Sequence, residues 1–249
     1  MKITKITIVL LLAITLIGCA KKPKGPYADF QGQTAKQIYQ GGKQALAKKK
    51  YQKAIKSFEA LDALYPYGDY SQRAQLDIIY AYYENGDYDT AVAAADYYIH
   101  LYPTSRHVDY AYYVKGLANI QRNLNWLQKI HPMKPAQRDL SGMKAAFTDF
   151  NELVSMYPDS KYAPDARNRM IYIRNLLAEH ELDVAKFYMK RKAYVAAANR
   201  ASYIVQHFEG TLQVKQALQI MVKAYQTLGA TKQAAEAAEV LQRNYPKNK

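Results

Sequence analysis

The sequence predicts an all-α superhelical solenoid of about five helix pairs, and three observations carry that prediction. First, the stretch at 51–66, YQKAIKSFEALDALYP, returns four more times along the chain. Its alanine and the position twelve residues later align as Ala54 with Pro66, Ala91 with Pro103, Ala146 with Pro158, Ala197 with Glu209, and Ala234 with Pro246. Second, Ala54, Phe58 and Leu61 share one helical face at 3.6 residues per turn, and Pro66 cannot continue that helix. A small residue followed by large ones is what close helix packing needs. Third, 37 residues separate Ala54 from Ala91 and again Ala197 from Ala234, near the unit of about 34 that marks a tetratricopeptide-like array. The 249 residues suffice for a large core, yet a stacked array buries its core between neighbouring units and needs no division into globular domains.

Residues 1–18 are expected to be a secretory signal peptide. Lys2 and Lys5 precede an apolar run at 6–17, broken only by Thr7 and Thr15 and too short to span a bilayer. The run ends in Leu16, Ile17, Gly18 and Cys19, which resembles a bacterial lipobox. That resemblance implies a covalent diacylglycerol and an N-acyl lipid on Cys19 after cleavage, with no other cofactor. The alternative is an ordinary small-residue cleavage site that contains a cysteine. Cys19 is the only cysteine, so no internal disulfide framework or Cys-rich metal site is expected. Two or three acyl chains, at about 0.8 kcal/mol per buried CH₂, anchor a protein stably. Ala20 rather than Asp after the cysteine favours the outer membrane, by similarity to sorted lipoproteins.

Residues 19–33 then read as the lipidated cysteine and a flexible tether, with two prolines, two glycines and no helical period. Residues 34–160 form N-terminal repeats 1 to 3. Thr34 is the expected N-cap of the first helix, near 35–48, and Gly42 falls where the pattern wants a small residue. In the second unit, Gly86 fits a left-handed helix end and Asp87 is expected to cap the next helix. Tyr82 matches a core-packing position, whereas Tyr80 and Tyr83 match positions facing the concave groove, where the alternative to peptide binding is packing between repeats. The third unit carries about eighteen extra residues, an inserted loop at about 123–139 that holds the single tryptophan, Trp126. An inserted loop with an aromatic is a candidate contact site.

Residues 161–249 form C-terminal repeats 4 and 5. From Pro158 to Ala197 is 39 residues against 25 from Pro66 to Ala91, so the fourth unit is expected to open with a long helix, or two end-to-end pieces, over 162–191. Pro164 is tolerated at its start. Such a helix links the first three units to the last two. Tyr225, Gly229, Ala234, Leu241 and Pro246 mark the fifth.

The formal charge is +14, and the export signal argues against nucleic acid as the reason for it. Lys21, Lys22 and Lys24 lie beside the anchor, where anionic headgroups attract lysine at about 1 kcal/mol each. The five histidines are dispersed, and no phosphate loop, nucleophile elbow or zincin pair is present. The chain therefore reads as a non-enzyme with no metal site. Concave helical arrays bind peptides or protein segments.

Several segments resemble one family. Tyr65, Pro66, Tyr67 and Gly68, the run at 80–83 (YAYY), and the run at 109–118 (DYAYYVKGLA) are similar to the BamD family of tetratricopeptide lipoproteins. Arg138 and Asp139, Ala146 and Phe147, the run at 157–160 (YPDS), and Asn199 with Arg200 extend the likeness over most of the mature chain. The resemblance implies a scaffold of the outer-membrane β-barrel assembly machine, lipid-anchored at the outer membrane of a Gram-negative bacterium with its body in the periplasm. Implied partners are unfolded outer-membrane proteins, the barrel-forming subunit and accessory lipoproteins of that machine. A client segment would lie in a groove lined by Tyr39, Tyr80, Tyr83, Tyr110 and Tyr113. Arg200 and Trp126 are candidates for the partner interface. The alternative is another tetratricopeptide outer-membrane lipoprotein, serving pilus-secretin assembly or the recruitment of peptidoglycan enzymes.

Overall fold

The structure, a computed structural model, describes residues 25–122, 136 and 139–246. Cys19 and Trp126, with the signal segment and nearly all of the inserted loop, lie outside the described residues. Among the described residues a 3-10 turn (Ala28–Phe30) precedes ten α-helices. They form five antiparallel pairs: α1 (Ala35–Ala47) with α2 (Tyr51–Leu64), α3 (Asp69–Asn85) with α4 (Tyr88–Leu101), α5 (Val108–Arg122) with α6 (Ser141–Met156), α7 (Ala163–Lys190) with α8 (Tyr194–His207), and α9 (Val214–Thr227) with α10 (Thr231–Asn244). Each helix packs on the next, and α1 also touches α3, α3 touches α5, and α7 touches α9. The first helices of the pairs thus line the concave side of the solenoid.

The start of α1 is fixed as expected. Thr34 accepts from the Gln37 N–H at 3.3 Å, and Gln37 Oε1 accepts from the Thr34 N–H at 2.8 Å, a reciprocal capping box. The repeat alanines are the close-packing points: Ala54, Ala91, Ala146 and Ala197 are 0% exposed and Ala234 is 6% exposed. Four residues after the alanine, the second helix alternates in size against its partner. Phe58 meets Gly42, Ala95 shares a core cluster with Ile79, and Phe150 meets Gly116. A large residue on one helix is matched by a small one on the other, which keeps packing density constant along the stack.

The short turns inside pairs 1, 2, 4 and 5 each have one left-handed residue two positions before the second helix. Gly86 (φ 86°) and Gly229 (φ 73°) supply it in pairs 2 and 5, whereas pairs 1 and 4 use Lys49 (φ 55°) and Lys192 (φ 58°). Asp87 occupies the N-cap position of α4, but its side chain caps nothing; it accepts from Asn85 Nδ2 at 2.6 Å instead. The nearer amide donor has captured the carboxylate, and this corrects the capping expectation.

The fourth pair opens with one continuous helix of 28 residues, α7, about 42 Å long. Pro164 sits in its first turn, where a missing N–H costs nothing. Ala163, Ala166 and Ile173 pack with Phe150 and Leu153, while Ala178 and Leu182 pack with Ala201, Ile204 and Leu218. One helix therefore belongs to the cores on both sides. Of the inserted stretch, Ala136 is buried with Leu140 and Leu176, and its carbonyl accepts from His180 Nδ1 at 2.6 Å. No described helix is long and apolar enough to cross a membrane.

Candidate functional site

The concave face of the first three pairs holds a cleft of about 450 Å³, lined by Tyr39 of α1, Asp69, Gln72, Arg73, Leu76 and Asp77 of α3, Tyr98 of α4, and Ser105, Arg106 and His107 of the turn before α5. Tyr39 is the one predicted groove tyrosine that lines it. Its ring lies 5.5 Å from that of Tyr70 and 6.1 Å from that of Phe58. Its hydroxyl donates to Asp77 Oδ2 at 2.8 Å, and Lys43 Nζ reaches Asp77 Oδ1 at 2.8 Å. Asp77 is thereby satisfied on both oxygens and fixes the tyrosine. Burial, then the bond to Asp77, pushes the Tyr39 hydroxyl well above its ordinary value, so it remains a neutral donor.

Arg73, Arg106 and His107 are exposed at this cleft. The floor is apolar and hydrogen-bonded: Tyr98 is buried, with its hydroxyl 2.9 Å from Ser105 Oγ. An aromatic and aliphatic floor with the guanidiniums of Arg73 and Arg106 at its rim, beside Asp69 and the already paired Asp77, suits an extended segment that ends in an aromatic side chain and a carboxylate. Sequence reasoning missed Arg73, Arg106 and His107. They come from a helix and a distant turn and share no spacing that would announce them.

The other four predicted tyrosines continue along the same face and are shared with packing between units. Tyr80 and Tyr83 are partly buried on α3, and the Tyr83 ring lies 5.8 Å from Tyr88. Burial raises both hydroxyls, followed by Glu84 for Tyr80 and by Tyr88 for Tyr83. Tyr110 and Tyr113 of α5 converge on Tyr162 at the start of α7, at 5.4 Å and 4.8 Å, the latter stacked at 19°. Tyr113 also donates to Asp165 Oδ2 at 2.8 Å, and Arg169 pairs with the same oxygen. Burial raises both of these hydroxyls as well. Tyr162 is thus the platform that joins pair 3 to pair 4, and its place ahead of the long helix gave no sign of that in the sequence.

Arg200 lies on α8, exposed, and its Nη1 donates to Glu181 Oε2 of α7 at 2.9 Å. The Arg200 side chain is 47% exposed and that of Glu181 only 15%, so the pair is half-buried and a partner would meet the outer edge of the guanidinium while Glu181 holds the inner one. Among the described residues no group of three His, Cys, Asp or Glu side chains is placed to hold a metal ion.

The family designated YfiO, described as outer membrane lipoprotein, matches residues 31–241. A protein of Vibrio cholerae named outer membrane protein assembly factor BamD is 36% identical over 235 residues, covering 94% of this chain and 96% of that protein. The proteins of the same name from Pasteurella multocida and Neisseria meningitidis serogroup A are 35% and 34% identical, each covering 98% of this chain and 92% of theirs.

Proposed function

Because the chain belongs to the BamD family of outer membrane lipoproteins, we propose that it is a non-enzymatic scaffold of the machine that assembles β-barrels in the outer membrane. Its place is the outer membrane, with acyl chains on Cys19 as the anchor and the helical body in the periplasm. The cleft of the first three pairs receives the end of an unfolded outer-membrane protein. The last two pairs, with Arg200 on their surface, contact the barrel-forming subunit.

The observation that carries this reading is the cleft itself. Tyr39 and Leu76 offer apolar area over the buried Tyr98, while Arg73 and Arg106 offer positive charge that outweighs Asp69, Asp77 being paired with Lys43, within one cavity of about 450 Å³, a combination matched to an extended chain with an aromatic, anionic end. Tyrosine gives that area at a low cost in side-chain entropy. The test is affinity capture of the epitope-tagged, detergent-solubilised protein. Recovery of a large outer-membrane β-barrel subunit is expected. Recovery of only pilus-secretin or cell-wall proteins would overturn the reading.

A further inference from the structure

The turn between α1 and α2 carries lysines that the fold does not use. Between Phe30 and Phe58 the sequence has seven lysines and no acid. Lys43 pairs with Asp77 at 2.8 Å and Lys56 with Asp29 at 3.1 Å. Lys48, Lys49, Lys50 and Lys53 are exposed and make no ion pair or side-chain hydrogen bond among the described residues. The acid packed nearest the turn is Glu84 of α3, which accepts from the Tyr51 hydroxyl at 3.1 Å. Four free cations thus protrude at one end of the solenoid.

Two further facts say what they face. Lys49 holds φ 55° where the equivalent turns of pairs 2 and 5 have glycine, so a charged side chain occupies a position whose backbone favours none. The tether can also reach this end, although its described part runs the other way, Tyr27 lying by Glu59 and Asp62, about 12–16 Å along α2 from the turn. Asp29 is held by Lys56, five residues along α2 from Tyr51 and so about 8 Å from the turn. The six residues from Cys19 to Lys24 span about 20 Å when extended, long enough for the acylated residue to lie level with the turn. Around the lysines, Gln44, Ala47 and Gln52 are exposed, Leu46 and Tyr51 are half-buried, and among the described residues no large apolar side chain of this turn is fully exposed. A protruding tip of four unpaired lysines with no large apolar anchor exposed beside them fits a layer of headgroups better than an acidic protein segment.

We propose that the α1–α2 turn, through Lys48, Lys49, Lys50 and Lys53, binds anionic phospholipid headgroups and holds the first helix pair against the membrane. The inference rests on the reading that Cys19 carries the acyl chains. Each lysine near such a surface strengthens partition about fivefold at moderate ionic strength.

The test uses the full acylated chain on vesicles of phosphatidylcholine alone, or of phosphatidylcholine and phosphatidylglycerol in equal parts. Cys19 is the only cysteine and is blocked by its lipid, so Gln52→Cys or Thr104→Cys gives a unique dye position. Energy transfer to headgroup-labelled lipid reads its height. On the anionic vesicles the dye at position 52 should move closer than on neutral ones while that at 104 does not. High salt, or the variant Lys48→Gln, Lys49→Gly, Lys50→Gln, Lys53→Gln, should abolish the difference. Equal transfer on both vesicles, or a difference that survives the variant, overturns the proposal. Protein that fails to float with neutral vesicles refutes the acyl anchor separately. Flotation with anionic vesicles, weakened about tenfold or more by the four-site variant, would then still uphold the headgroup site, and its absence would overturn it.

Discussion

Gly42 of α1 lies so close to Phe58 of α2 that a Cβ added at residue 42 would sit 2.5 Å from Phe58 Cε1. The contact recurs between Gly116 and Phe150, at 2.6 Å, so it is a device of the repeat and not a local accident. Alanine at 42 gains up to about 1 kcal/mol of helix propensity, but it meets a ring that is 1% exposed and has nowhere to go, and overpacking costs about 1–3 kcal/mol. Gly42→Ala should therefore lower stability by up to about 2 kcal/mol net. Phe58→Ala should cost about 3–5 kcal/mol. In the Phe58→Ala background the effect of Gly42→Ala should vanish or reverse, which a denaturation double-mutant cycle measures directly. Additive losses would mean the two side chains do not meet.

Pairs 2 and 3 are joined by a buried charge. Lys115 Nζ lies 2.7 Å from Asp96 and 2.9 Å from Asp149, and Asn119 donates to Asp149 at 2.7 Å. Asp149 is almost wholly buried. Lys115→Met strands that carboxylate and should cost about 3–5 kcal/mol, while the double change with Asp149→Leu should recover part of the loss, because removing both charges also removes their desolvation but leaves the buried Asn119 amide without its acceptor. Thermal unfolding of the two variants separates these outcomes, and equal destabilisation would contradict the assignment.

Lys49 and Lys192 adopt left-handed backbone that glycine adopts without strain. Lys49→Gly and Lys192→Gly should each stabilise the fold, by about 1 kcal/mol less the entropy that glycine adds to the unfolded chain. The gain should show as a higher denaturant midpoint at unchanged slope. A loss at either position would mean that the lysine side chain contributes packing that its exposure does not suggest.

The fold was legible because one residue pattern had to solve the same packing problem five times. The alanines, Gly42, Phe58 and the turn at Gly86 report the solution directly, and the 39-residue interval from Pro158 to Ala197 reports the long helix by exclusion. Where two solutions compete locally the sequence is silent. Asp87 reads as a cap until Asn85 is seen holding it, and lysine at 49 and 192 does not announce a left-handed turn. The site was legible only in part. Tyr39 was placed by its repeat position, but Arg73, Arg106 and His107 meet it through superhelical curvature, which no spacing encodes. Tyr110 and Tyr113 carry the right repeat positions and yet are largely taken up by Tyr162.

The division of labour along the solenoid is tested most directly by photo-crosslinking in cells, with a photoreactive amino acid placed at Arg73, Arg106 or Arg200. All three are exposed, and none lies in a buried core. Adducts with unfolded outer-membrane proteins are expected from 73 and 106, and adducts with the barrel-forming subunit from 200. Client adducts that arise only from 200, or none from the cleft positions while 200 still reacts, would contradict the assignment of the cleft as the client-binding face.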